Sequence, residues 1–327
     1  MSLGIKFEFA GAESLGVRSL ATFVKTPDVK ALIDAGASLG RRSYLLPHPL
    51  EYRALKETKK RIIKYAQKAD CITISHYHFD HYVATWKEVD AIWSWSSYEH
   101  AKEVYGNKTI YAKTFRKNIN VSQRKRGYLF GKMAADFCKE IVYADDTEYG
   151  FGDTTITFSP PLHHGDDSSL LGYVLGTLIS HGGQKFLHFA DIQGPSSEKT
   201  LNLIIKVKPD FLVLSGPPMY LSGIKTEPAI IQAGLRNLGK IVKSIKHTIV
   251  DHHLLRSEEG LKVIKELKAE AQKNGNSVSS IAEFMGKDNN LLEAKRKKLY
   301  YENPPDTEFQ KWLKMRPAKQ RTTLPPV

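Results

Sequence analysis

Four side chains of the kinds that bind metal ions stand close together in this sequence, with the spacing H-x-H-x-D-H: His76, His78, Asp80 and His81. They follow Cys71 to Ile74, a short apolar run that predicts a buried strand. A strand that ends in a tight loop can point all four side chains into one small volume. Imidazole and carboxylate are ligands that Zn²⁺, Fe and Mn²⁺ accept. One tetrahedral ion needs fewer ligands from a single loop. The spacing therefore favours two ions, with His76 and His78 serving one and Asp80 and His81 serving the other.

Further side chains of these kinds follow other predicted strands. They are His163 and His164 after a strand at 154–159, Asp191 after a strand at 185–190, and His252 and His253 after a strand at 247–250. A lone histidine is most often a satisfied core residue, but repeated clusters at strand ends are hard to ascribe to chance. A carboxylate in the place of Asp191 can bridge two metal ions. Asp34 also ends a predicted strand and can project into a site, although alone it would be interpreted as a turn former.

This order of motifs resembles the five-motif pattern of the metallo-β-lactamase superfamily, over about residues 5–256. Three stretches are more similar to an uncharacterised archaeal branch whose members are described as metal-dependent hydrolases. They are Ser-Pro-Pro-Leu-His-His-Gly at 159–165, Ser-Gly-Pro-Pro-Met-Tyr-Leu-Ser-Gly at 215–223 and Val-Asp-His-His-Leu-Leu-Arg at 250–256. The resemblance implies an α/β fold, namely an αββα sandwich of two mixed sheets flanked by helices, with the metals at one edge.

The resemblance also implies a role for each residue. It assigns one zinc to His76, His78 and either His163 or His164, and a second zinc to Asp80, His81 and either His252 or His253. Asp191 would bridge the two ions. Asp34 would form a hydrogen bond that fixes the metal loop. His164 is preferred because Gly165 and the Gly172-Tyr173 strand resemble the spacing of related hydrolases. His252 is preferred because it lies closer to its strand end, whereas Arg256, three residues beyond His253, favours His253.

The implied activity is that of a binuclear metal-dependent hydrolase acting on an ester-type bond, with a phosphoester as the preferred class. Two zinc ions about 4 Å apart can share a hydroxide that attacks the substrate. Asp80 and Asp191 are the candidate catalytic residues, and Asp80 is one candidate to pass a proton to the leaving group. We expect two Zn²⁺ per chain, with Fe or Mn²⁺ as alternatives, and a small-molecule or phosphoester substrate.

The remainder of the chain predicts one domain over residues 1–327, with a basic helical excursion at about 97–139 and a helical C-terminal extension at about 257–327. The excursion interleaves basic residues with aromatic ones, a pattern that suits phosphates and stacked bases. Inward packing of those aromatics is the alternative, and we favour it. Strands are also predicted at 91–96 and 171–179, helices at 127–138 and 277–286, and an extended tail at 316–327.

The composition gives Lys+Arg minus Asp+Glu as 48 − 35 = +13. A polyanionic partner such as nucleic acid explains this charge as well as the solvated surface of a heat-adapted protein does. The sequence contains no long apolar run and its N-terminus does not resemble a signal peptide, so we expect a cytoplasmic protein without membrane contact. Two alternative functions stay open: a nucleic-acid-processing nuclease of the same superfamily, and an iron-dependent oxidoreductase or non-catalytic metal-binding protein. The sequence gives no oligomeric state.

Overall fold

The computed structural model describes residues 4–327. The N-terminal half builds a six-stranded mixed sheet in which the strands lie side by side in chain order. Its elements are β1 (Lys6–Phe9), β2 (Thr22–Lys25), β3 (Lys30–Ile33), α1 (Pro49–Lys68), β4 (Cys71–Ile74), α2 (Tyr98–Tyr105), β5 (Thr109–Ala112), α3 (Val121–Ala134) and β6 (Glu140–Tyr143). Strands β3 to β6 are parallel, whereas β1 and β2 are antiparallel additions at one edge.

The C-terminal half builds a seven-stranded mixed sheet in the order β15-β14-β13-β12-β11-β8-β7, beside a short β9–β10 ladder. Strands β12 to β15 are parallel and the others are antiparallel. The elements are β7 (Glu148–Phe151), β8 (Thr154–Phe158), β9 (Leu162–His163), β10 (Tyr173–Val174), β11 (Thr177–His181), β12 (Gln184–Phe189), α4 (Glu198–Val207), β13 (Phe211–Ser215), α5 (Pro228–Ser244), β14 (His247–Asp251), α6 (Glu259–Gln272), β15 (Ser277–Ser279), α7 (Ile281–Phe284), α8 (Arg296–Glu302), α9 (Thr307–Leu313) and α10 (Pro317–Thr322).

Three apolar cores define the layers of the molecule. Alternate side chains of each sheet point to opposite faces, so each sheet contributes to two cores. The inner faces of the two sheets share one core, to which Ile33 and Val213 belong. The outer face of the first sheet packs on α1 to α3, and the outer face of the second packs on α4 to α6. The αββα sandwich that the sequence predicted is confirmed.

The parallel strands determine where the functional side chains lie. Parallel neighbours end at the same edge of a sheet, so the residues that follow β3, β4, β12 and β14 gather at one edge of the sandwich. Strand β4, which precedes the H-x-H-x-D-H motif, is buried along its whole length. Of the helices within residues 4–327, none is both long enough and apolar enough to cross a membrane.

Several predicted elements differ from the observed ones. Residues 91–96 form a turn instead of a strand, and the region 97–139 contains strand β5 as well as helices. The predicted strand at 171–179 is divided into β10 and β11. The predicted helix at 277–286 is strand β15 followed by α7, and the tail predicted to be extended contains α10.

Candidate metal centre

The carboxylate of Asp191 lies between two groups of donor atoms, and each of its oxygens faces one group. Its Oδ2 atom is 2.9 Å from His164 Nε2, 3.3 Å from His76 Nε2 and 3.7 Å from His78 Nδ1. The His76 Nε2 and His78 Nδ1 atoms are 3.0 Å apart. We call these four residues the first donor set: His76, His78, His164 and Asp191.

The Oδ1 atom of Asp191 faces a second group. It is 3.3 Å from His81 Nε2 and 3.2 Å from His252 Nε2. The Nε2 atom of His252 is in turn 3.3 Å from His81 Nε2 and 3.4 Å from Asp80 Oδ2. We call Asp80, His81, His252 and this second oxygen of Asp191 the second donor set.

These distances and the chemistry of the donors fit divalent metal ions. Bonds of about 2.0–2.1 Å from a tetrahedral ion to nitrogen and oxygen place neighbouring donors roughly 3.3 Å apart. The measured separations within the second donor set are close to that value. Asp191 Oδ1 is also buried without a hydrogen-bond partner, which costs free energy unless a cation compensates the charge.

The two pairs of adjacent histidines that the sequence left open lie at different distances from the donor sets. His164 belongs to the first donor set, whereas the ring of His163 packs on Tyr173 with centroids 4.5 Å apart and lies outside the donor groups. His252 contacts three donors of the second set. His253 also groups with Asp191 and His252, but its Nε2 atom is farther from Asp191 Oδ1, at 3.8 Å against 3.2 Å for His252.

Asp34 supports the metal loop from behind. Its Oδ1 atom accepts a hydrogen bond from the Ser75 amide at 2.8 Å, and its Oδ2 atom accepts one from the Ser75 hydroxyl at 2.6 Å. The same Oδ2 atom is 3.0 Å from His81 Nδ1, so the Nε2 atom of His81 is directed into the second donor set. A glycine is needed two residues later, because a Cβ atom on Gly36 would lie 2.5 Å from the backbone nitrogen of His81.

Three site residues leave their strands in the left-handed backbone conformation. The φ angles are 51° at Asp34, 38° at Asp191 and 59° at His252. Non-glycine residues adopt this conformation at a cost, although Asp and His tolerate it better than most. The sharp change of direction at each strand end points the side chain across the edge of the sandwich.

Burial and the neighbouring charges shift the pKa values of the site residues in different directions. Burial lowers the pKa of His76 to about 3, so its imidazole is neutral. Burial alone would raise the pKa of Asp191, but the surrounding histidines outweigh it and hold this pKa well below its usual value. For His81, burial is outweighed by the Asp191 and Asp34 carboxylates, which raise its pKa well above the usual value. A metal ion bound by His81 therefore has to displace a proton.

A cavity of about 290 Å³ opens over the donor sets and is rich in arginine. Arg18 forms a bidentate ion pair with Glu293, and Arg256 contacts both Glu13 and Asp80. Arg126 instead donates to the Tyr77 carbonyl at 3.1 Å and lies over the Phe79 ring, 4.3 Å from its centroid. The cavity thus combines the two donor sets with permanent positive charge.

Sequence reasoning missed Glu13 and Arg18 as parts of this site. Glu13 lies in the opening turn and is 3.6 Å from His252 Nδ1. Arg18 lines the cavity, and its side chain pairs with Glu293, which lies 275 residues later in the chain. No local pattern marks either residue, since both resemble ordinary polar residues of a turn.

Comparisons with known proteins add relatives and a weaker structural likeness. A UPF0282 protein of Thermococcus sibiricus is 40% identical over 291 residues, which cover 88% of this chain and 92% of that protein. A UPF0282 protein of Methanopyrus kandleri is 38% identical over 290 residues, covering 88% and 97%. No family model matches the chain.

Among solved structures, Tm1679, a metal-dependent hydrolase of the beta-lactamase superfamily, is similar with a TM-score of 0.45 and 11% identity, over 80% of this chain and 88% of that one. Igni18, a metallo hydrolase from Ignicoccus hospitalis, has a TM-score of 0.43 and 13% identity, over 84% and 94%.

Proposed function

The chain belongs to the UPF0282 family, and we propose that it is a metal-dependent hydrolase of phosphoester bonds whose centre holds two divalent ions, preferably zinc. The observation that carries this proposal is the position of Asp191, whose two carboxylate oxygens face separate donor sets. A carboxylate placed in this way can hold two ions at a fixed separation. His76, His78 and His164 would complete one site, and Asp80, His81 and His252 would complete the other.

Two ions bound there would supply Lewis acidity toward a phosphoryl oxygen and a nucleophile at neutral pH. The residues of the chain hold the donors in place and bind the substrate. Asp34 fixes the orientation of the His81 ring, and Asp191 stays ionised. Histidines and Arg256 outweigh burial and hold the pKa of Asp80 well below its usual value, which suits a ligand better than a proton donor.

The charge of the cavity favours a phosphoester over a neutral ester. Arg18, Arg126 and Arg256 all line the cavity, and guanidinium groups match the geometry of phosphate oxygens. Arg18 and Arg256 already contact carboxylates, so the charge available to a substrate is greatest at Arg126. A neutral ester or lactone would offer this guanidinium no opposite charge.

The direct test is elemental analysis combined with an assay of bis(p-nitrophenyl) phosphate hydrolysis, on protein purified without added metal. We expect about two divalent ions per chain, and hydrolysis that is lost with chelation and restored by the metal. Asp191→Asn should keep the fold while lowering metal occupancy or turnover. Absence of metal after reconstitution, or a metal-loaded protein that cleaves no phosphoester, would refute the proposal. Iron without hydrolysis would favour the oxidoreductase alternative.

A nuclease is the second candidate, because helix α3 carries positive charge to the rim of the cavity. Arg126 lines the cavity, while the preceding Arg124 and Lys125 are exposed to solvent. No acidic residue occurs between 104 and 135. A polyanionic strand reaching the centre would pass this surface, and its phosphodiester is the same bond type as in the first candidate.

A further inference from the structure

A second cavity of about 440 Å³ adjoins the metal cavity. Phe79 and Trp93 line both cavities. Phe79 stands between His78 and Asp80 in the H-x-H-x-D-H motif, so the second cavity begins at the metal loop itself. On the metal side, the guanidinium of Arg126 lies over the same Phe79 ring. The arginine-bearing end of one cavity and the start of the other therefore meet at Phe79, with Trp93 as a second shared wall residue.

The wall of the second cavity is aromatic. Phe79, Trp86 and Trp93 are each only partly buried, and the rings of Phe79 and Trp86 meet edge to face with centroids 5.9 Å apart. Hydrogen bonds hold the main chain at both tryptophans, because the Trp86 carbonyl accepts from the Tyr98 amide and the Trp93 carbonyl accepts from the Leu39 amide. Partly exposed aromatic rings that line a cavity favour a flat ring as ligand.

The rim of this cavity has hydrogen-bonding groups of both kinds. Glu88 and Asp90 present carboxylates, and Arg321 of α10 presents a guanidinium. The Asp90 carboxylate is fixed by the Ser94 hydroxyl, which donates to its Oδ2 atom at 2.8 Å. A purely hydrocarbon ring would form no hydrogen bonds with these groups, whereas a heteroaromatic ring can donate to the carboxylates and accept from the arginine.

We propose that the second cavity binds the planar heteroaromatic part of the substrate, so that the bond cleaved is a phosphoester of a nucleoside-like group. This inference rests on the proposed hydrolase function and specifies its substrate class. In the reaction, the oxygen of water bonds to phosphorus and the ester P–O bond breaks. One proton of that water ends on the leaving-group oxygen and the other is released or retained by the phosphate.

Binding of two phosphates that differ only in the ring tests this assignment. Isothermal titration of the metal-loaded full chain compares adenosine 5′-monophosphate with ribose 5-phosphate. Removing one ring from a stacked pair of base and aromatic side chain commonly lowers the binding affinity by about tenfold or more. We expect the nucleotide to bind at least about tenfold more tightly than the sugar phosphate.

Trp86 lines only the second cavity and is the residue to change. Trp86→Leu should weaken nucleotide binding about tenfold and leave ribose 5-phosphate binding unchanged, while Trp86→Phe keeps a ring and should retain most of the affinity. Arg126→Gln should weaken both ligands. Thermal melting of each variant checks that it is folded.

Two results would overturn the assignment: a wild-type protein that binds the nucleotide no more tightly than the sugar phosphate, and a Trp86→Leu variant that loses both ligands equally. Metal content and diester hydrolysis, measured on the same preparations, separate this failure from that of the proposed function. If both are retained, only the ring cavity is refuted. If the wild-type protein binds no metal and hydrolyses no diester, the hydrolase proposal and this inference fail together.

Discussion

Arg256 Nη2 lies 3.0 Å from Asp80 Oδ2, on a carboxylate oxygen that belongs to the second donor set. The same atom is 2.9 Å from His252 Nε2. Within the described residues, no arginine contacts the donor atoms of the first donor set in this way. A permanent positive charge at this distance opposes a divalent ion, so the second ion should bind more weakly than the first.

Replacing Arg256 with glutamine should therefore tighten the binding of the second equivalent of metal by about tenfold or more, and leave the first unchanged. Competition between the protein and a chromophoric chelator measures both affinities without reference to activity. Arg18→Gln is the matched control, because Arg18 lines the same cavity and pairs with Glu293 instead of a donor. A weaker second site in Arg256→Gln would mean that the guanidinium supports Asp80 instead of repelling the ion.

His252 and His253 are adjacent, but they should differ in their effect on metal content. His252 Nε2 lies within 3.4 Å of three donors, whereas His253 Nε2 approaches only Asp191 Oδ1, at 3.8 Å. Asparagine is the suitable replacement at both positions, since His252 has a φ of 59° that asparagine tolerates. We expect His252→Asn to lose about one of two ions and His253→Asn to keep both, measured by elemental analysis. The reverse order would exchange their assignments.

The positions of the donors could be predicted from sequence because each follows a short apolar strand. Parallel strands bring such ends together without any knowledge of long-range contacts, which is why Asp34, Asp191 and the loop at 76–81 could all be placed at one edge. The choice between His163 and His164 could not be made in this way. A shift of one residue turns a side chain to the other face of the backbone, and the registry of the β9–β10 ladder decides which one faces the donors.

Other elements were predicted wrongly where specific hydrogen bonds or strand pairing override the hydrophobic pattern. Residues 91–96 alternate like a strand, but the Asp90 carboxylate and carbonyl accept hydrogen bonds from Ser94 and Trp95 and close a turn. The predicted helix at 277–286 begins late because β15 pairs with β14, and the Asp251 carboxylate accepts from the Ile281 amide at the start of α7. Contacts between residues so distant in sequence leave no trace in hydrophobic periodicity.

The basic surface of α3 should bind nucleic acid if the chain is a nuclease. Arg124→Ala combined with Lys125→Ala removes two exposed positive charges beside the cavity. Each lost phosphate contact should lower the salt dependence of RNA binding by about one unit of slope, so a decrease of up to about two is expected. Fluorescence anisotropy with a labelled single-stranded RNA measures this. The control is Lys262→Ala combined with Lys265→Ala on α6. If both double variants lower the salt dependence of RNA binding equally, α3 is not a specific RNA-binding surface.

The stability of the fold should rise with pH through Lys59. Its Nζ atom donates to the Trp95 carbonyl at 2.6 Å and lies 2.8 Å from His100 Nδ1, and burial lowers the pKa of Lys59 to about 7. Because the unfolded chain has a higher lysine pKa of about 10.4, it binds more protons than the folded chain between these values, and raising the pH stabilises the fold. We expect the free energy of unfolding to increase from pH 7 to 9.5, and Lys59→Met to reduce that increase.

Urea denaturation at the two pH values measures this slope. Lys60→Met is the control, because Lys60 is exposed on the same helix and pairs only with Glu57 at the surface. It should keep the slope of the wild-type protein. A slope that is unchanged in Lys59→Met would show that Lys59 keeps its proton in the folded state, held by the carbonyls around it.

The buried ion pair between Glu51 and Arg296 should be the main electrostatic attachment of the C-terminal helices. Arg296 donates to Glu51 through Nε at 2.7 Å and Nη2 at 2.6 Å, and both side chains are fully buried. Glu51→Gln leaves the guanidinium buried without a counter-charge, which typically costs about 3–5 kcal/mol of unfolding free energy. Urea denaturation measures the loss, and Glu57→Gln, in an exposed pair on the same helix, should leave the stability nearly unchanged. Adding Arg296→Met to Glu51→Gln should recover part of the loss, since no unpaired charge is then buried. A decrease of less than about 1 kcal/mol in Glu51→Gln would mean that water or the Gly40 and Leu45 carbonyls, which accept from Nη1, already compensate the charge.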